Sequence, residues 1–134
     1  MFICRYKPAM LPLLLVMLGG AIGAGARYEA GQWALARFGP DFPWGTWIIN
    51  LSGGLLMGLL IGFLVHVTEG REQLRLLLGV GVLGGFTTFS AFSIEAFNMI
   101  SRGDHMHALF YVLSSAIGSI LMVGLGIWTM RIIG

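Results

Sequence analysis

Few polar side chains interrupt the long apolar stretches of this chain. Each is a candidate for function, because a polar group held in lipid is costly. Asn50 carries an amide that donates and accepts. It can bridge two helices or line a path. Tyr111, Ser115 and Ser119 recur every four residues, so on a helix their hydroxyls share one face. A serine can bond back to its own helix, but three hydroxyls in a row form a ladder of donors suited to a moving anion. Phe89 and Phe92 lie three apart. Such a pair packs in a core or against lipid, or turns its positive ring edges toward an anion while excluding water. Glu95 lies one turn further on, and a carboxylate inside a membrane needs a proton or a partner. Arg27 follows the glycine- and alanine-rich run from Gly19 to Ala26. It can snorkel to the interface or give an aqueous vestibule a positive potential that gathers anions.

The most unusual stretch is Gly84-Gly85-Phe86-Thr87-Thr88-Phe89-Ser90-Ala91-Phe92-Ser93. Two glycines followed by two threonines form helix poorly, so a break over 84–90 is expected. Broken backbone at mid-membrane must be buried in protein or line a cavity. Its freed carbonyls can hold a cation. Two copies meeting at such a break would give one ion carbonyls from both, and a small hard cation such as sodium suits oxygen ligands.

The elements that position these residues follow from composition. The 134 residues are 57% hydrophobic and 10% charged, with a mean hydropathy of +0.85. Soluble domains carry about 25% charge, and a soluble globule of this size would leave large apolar patches facing water. The chain therefore reads as an all-α membrane protein, one domain over 1–134. Apolar runs of about 20 residues cross a bilayer, and four are expected, at 10–30, 46–67, 74–100 and 107–132. The prolines at Pro40 and Pro43, the charged run at Glu69–Gln73 and the polar turn at Ser101–His105 separate them. Trp33, Trp44, Trp47 and Trp128 fall near helix ends, where aromatic belts form. Arg5 and Lys7 ahead of Leu11–Leu18 also resemble a signal peptide, but a retained first helix is expected.

Composition excludes several classes. A single cysteine, Cys4, makes neither an intrachain disulfide nor a cysteine-based zinc site. No basic run exists to hold nucleic acid. His66, His105 and His107 sit at expected helix ends, and no nucleophile–base pair or metal cluster stands out, so an enzyme is not expected. Charge gives no clear orientation. Arg5, Lys7, Arg71, Arg75 and Arg131 face Arg27, Arg37 and Arg102 across the membrane, a weak bias under the positive-inside rule that vanishes without the two N-terminal cations. Such a protein can insert both ways and pair as an antiparallel dimer. Gly54, Gly58 and Gly62, and Gly81 with Gly85, repeat every four residues and favour close helix contact.

Three blocks together, GGAIGAGARY (Gly19–Tyr28), GTWIINLSGG (Gly45–Gly54) and GGFTTFSAFS (Gly84–Ser93), resemble the Fluc (CrcB) family of fluoride channels. The likeness extends across nearly the whole four-span layout. It implies an antiparallel, dual-topology homodimer with two fluoride pores, in the inner (plasma) membrane of a prokaryote. It implies a structural sodium ion (Na+) at the dimer interface, held by backbone carbonyls matching Gly84 and Thr87. It implies fluoride contacts at Asn50, Phe89, Phe92, Tyr111, Ser115 and Ser119, with Arg27 and Glu95 as vestibule or near-pore charges. Two departures, Ala91 at a position where a hydroxyl is common and Trp47 where a smaller apolar residue is common, bear on conduction rate more than on identity. The expected mechanism is passive: no GxxxxGK[ST] loop is present. Rival readings are a small multidrug antiporter, a fluoride–proton antiporter using Glu95, and an accessory subunit. The first needs a carboxylate deep in the first helix, where the only acid is Glu29 at its end.

Overall fold

The structure, a computed structural model, describes residues 10–134. The expectations for Cys4, Arg5 and Lys7 lie outside the described residues. Helix α1 is Met10–Phe38 and α2 is Trp44–Leu64. A third span, Arg71–Ser101, is composite: α3 (Arg71–Leu74), a π-helical stretch (Arg75–Leu83), α4 (Gly84–Phe86) and α5 (Phe89–Ser101). Helix α6 is His105–Ile133. Four segments are long and apolar enough to cross a membrane, and the described residues contain no strand. Large apolar side chains such as Leu14, Leu18, Ile22, Ile120 and Leu121 point outward, as lipid-facing helices require.

The turns follow from local chemistry. Helix α1 stops where Pro40 and Pro43 cannot continue it. Gly39, with φ of +80°, adopts the left-handed conformation that closes a helix end, and its N–H reaches the Leu35 carbonyl at 2.9 Å. Gly103, with φ of +79°, does the same after α5. Asp104 precedes α6 without capping it by its side chain. Instead the His107 ring donates to the Asp104 carboxylate at 2.7 Å, which holds that exposed carboxyl below its ordinary range.

Glycine sets the packing. Helices α2 and α6 pair extensively, and they touch backbone to backbone. A Cβ on Gly54 would lie 2.8 Å from the Ser119 carbonyl, and one on Gly58 would collide with that of Val123. On the other side, Gly81 faces Gly19 and Gly85 faces Gly20, joining the third span to α1. Both glycine repeats therefore work within the subunit.

The break in the third span is narrower than 84–90. Gly84 and Gly85 are helical, and only Thr87 and Thr88 leave the helix, both extended. The glycines serve close approach to α1, while the threonines make the break. Thr88 caps α5, its hydroxyl accepting from the Ala91 N–H at 3.3 Å. Upstream, the π-helical stretch ends with the Gly84 N–H bonded to the Gly79 and Gly81 carbonyls. Such wide turns are rare and concentrate near functional sites.

Candidate functional site

Two cavities meet at Thr88, which lines both. The larger, about 590 Å³, opens where α1, the 39–43 loop and the end of α5 converge; Arg27, Asp41, Thr46, Glu95, Asn98 and Arg102 line it. The smaller, about 360 Å³, is a groove between α2, the break and α6. Asn50, Thr87, Phe89, Phe92, Ser115 and Ser119 line it, with Met57 and Val123 further along. Together they suggest one route, a charged vestibule leading to a narrower, mostly apolar groove.

At the junction, Glu95 receives two hydroxyl hydrogen bonds. Thr46 donates to Oε1 at 2.8 Å and Tyr111 donates to Oε2 at 2.7 Å. Three elements, α2, α5 and α6, thus converge on one carboxylate. Tyr111 is fully buried, at 0% exposure. Its ring lies between Phe42, edge-on at 5.4 Å, and Phe92 at 5.3 Å.

The break itself is held by Asn50. The Thr88 N–H donates to Oδ1 at 2.8 Å, and Nδ2 donates to the Thr88 carbonyl at 3.0 Å. Both backbone groups are satisfied by one side chain, as a lipid interior demands. This arrangement also frees other groups. The N–H groups that would close helical bonds on the Gly84 and Thr87 carbonyls belong to Thr88 and Ala91, and these donate to Asn50 and to the Thr88 hydroxyl. Two carbonyls left without their helical donors, in the chemistry hard cations prefer, fit a sodium ion.

Along the groove, Phe89 and Phe92 pack at 5.4 Å. Phe89 is 79% exposed, while Phe92 is half-buried against Tyr111. Ser115 is 5% exposed, and its hydroxyl, shut off from solvent, has no hydrogen-bond partner among the described residues. Buried polar groups are normally paired, so this hydroxyl is a ready donor at the groove wall.

The expected residues fall into two groups. Asn50, Phe89, Phe92, Ser115 and Ser119 share the groove, whereas Arg27 and Glu95 share the vestibule. Tyr111 lies between, its hydroxyl engaged by Glu95, so the ladder begins at the junction and enters the groove at Ser115. Two participants were missed. Thr46 stands four residues before Asn50, the same-face spacing that would have found it. Thr88 stood within the break, but its pairing with Asn50 depends on tertiary placement. Trp47, a departure from the family pattern, donates its indole N–H to Ser114 at 2.9 Å and ties α2 to α6.

The four membrane-capable helices define a multi-pass membrane protein, with a charged vestibule and a mostly apolar groove alongside its broken third span. Residues 14–127 match the family model described as CrcB-like protein, Camphor Resistance (CrcB). Curated relatives named "Fluoride-specific ion channel FluC" agree across nearly their whole length. The Sphingopyxis alaskensis protein is 52% identical over 91% of this chain and 97% of its own. The Caulobacter sp. protein is 49% identical over 91% and 96%, and the Mesorhizobium japonicum protein 45% identical over 91% and 98%. The chain belongs to the CrcB-like family.

Proposed function

We propose that this protein is a fluoride-selective passive ion channel that exports cytoplasmic fluoride and so limits its toxicity. The names of its relatives support the ion, and the groove supports the route. The observation that carries the route is the buried, unpartnered Ser115 hydroxyl in the same groove as Asn50, Phe89 and Phe92.

Fluoride is small and holds its water tightly, so a path must replace several contacts at once. Arg27 in the vestibule attracts the anion. Past the junction, the Ser115 and Ser119 hydroxyls and the second N–H of the Asn50 amide supply donors. The edges of Phe89 and Phe92 supply partial positive charge without water. A larger halide does not fit the same contacts. An inside-negative potential drives the anion outward, worth about 2.3 kcal/mol per charge per 100 mV.

The working unit in this proposal is an antiparallel homodimer of dual topology, with two pores, in the inner (plasma) membrane of a prokaryote. The weak charge bias and the exposure of Phe89 support a second copy covering the groove. The Gly84 and Thr87 carbonyls at that interface would hold sodium, whose positive charge would offset carbonyl oxygens left without helical donors. The test is Phe92→Ile in reconstituted liposomes. Fluoride efflux should fall while the dimer persists, and undiminished efflux would remove the aromatic edges from the mechanism.

A further inference from the structure

The hydroxyl ladder on α6 steps by four residues through Tyr111, Ser115 and Ser119. The next rung is Val123, which lines the same groove, and Met57 on α2 lines it too. These two apolar side chains lie beyond the last hydroxyl, away from Thr88, where the groove joins the vestibule. At 1.5 Å per residue, Met57 stands about 10 Å along α2 from Asn50, and Val123 about 12 Å along α6 from Ser115. The walls are brought together here by glycine: Gly58 allows α2 to rest on the Val123 backbone. The polar lining thus stops abruptly, and the groove continues between a thioether and a branched hydrocarbon.

We propose that Met57 and Val123 form a dry rim at the end of the path remote from the vestibule, and that this rim limits the rate of fluoride passage. The inference rests on the channel reading above. An anion leaving Ser119 meets no donor side chain at the next rung. An apolar lining offers a passing anion no donor and holds water poorly. The rim therefore favours an ion that arrives already held by the ladder and delays its rehydration. It is the rate-limiting counterpart of the charged vestibule.

Val123→Thr keeps the side-chain shape and extends the ladder by one hydroxyl. In liposomes, initial fluoride efflux should rise about three- to tenfold over the unsubstituted protein, the scale of one added hydrogen bond to the passing ion. Met57→Gln, on the facing wall, should act in the same direction, and Val123→Ile should slow efflux. Chloride should remain excluded throughout. Efflux from both polar variants at or below the unsubstituted rate, with the dimer intact, would overturn the rim.

A second readout does not need fluoride to flow. In a Cys4→Ser background, V123C should react slowly with a water-soluble methanethiosulfonate reagent, and faster when M57Q is added. Equal rates would overturn the dry rim. A protein that carries no fluoride yet shows this difference would overturn the channel reading, and with it the rate-limiting role, and leave only the dryness of the rim standing.

Discussion

Asn50 and Thr88, 38 residues apart in sequence, exchange two hydrogen bonds, so one side-chain amide closes both backbone groups of a residue in the broken third span. The break is thereby made compatible with lipid, and the Asn50 side chain is fixed at the groove wall by the same contact. Replacing it by alanine strands a buried N–H and a buried C=O. Each is expected to cost about 1–3 kcal/mol. N50A should therefore melt well below the unsubstituted protein in detergent, and its fluoride efflux should collapse. Unchanged melting would show that the break is held by something else.

Tyr111 and Thr46 each donate to a different oxygen of Glu95. Y111F removes one donor and leaves the ring between Phe42 and Phe92. A hydrogen bond contributes about 0.5–1.5 kcal/mol net, so a loss of that order is expected in chemical denaturation. T46V removes the other donor and should cost a similar amount. Efflux should fall in both, since the junction loses its fixed carboxylate.

Glycine at the α2–α6 contact is predicted to be irreplaceable in some places and idle in others. A Cβ on Gly126 would lie 2.5 Å from the Leu55 carbonyl, whereas one on Gly124 meets nothing within 4 Å. G126A should force the helices apart at a cost of about 1–3 kcal/mol. G124A should be neutral or slightly stabilising, because alanine favours helix. Thermal melting of the two variants side by side checks the contrast.

Much of this architecture is legible from the residue pattern, and the misses share a cause. The four spans follow from apolar runs, and their ends from proline, glycine and charge. The break was expected at 84–90, but Gly84 and Gly85 are helical. Local propensity marks both glycines and threonines as helix breakers; the close approach of α1 decides that the glycines stay helical. The groove residues were found because polar groups are rare in apolar runs. Thr46 escaped notice because its role depends on Glu95, 49 positions away, and periodicity within one helix carries no information about that partner. The glycine repeats showed that helices touch, but not which ones.

One pH effect is expected outside the membrane. Asp104 lies before α6, and the His107 ring beside it lowers its carboxyl from the usual 3.8. A depressed carboxylate contributes stability above its unfolded value, and that contribution is lost as pH falls through the lower folded value. The melting difference between the unsubstituted protein and D104N should therefore close as pH drops below 3.8. A difference that persists in strong acid would assign the effect to helix capping geometry instead of charge.

The central claim is a passive, selective path for fluoride. The direct measurement is fluoride efflux from liposomes containing the purified protein, followed with a fluoride electrode, with valinomycin supplying the balancing potassium current and chloride-loaded vesicles as the comparison. The account predicts fast fluoride efflux that requires valinomycin, with chloride retained. Efflux that ignores valinomycin and is instead driven uphill by a pH gradient, or no efflux from a well-folded protein, would contradict it.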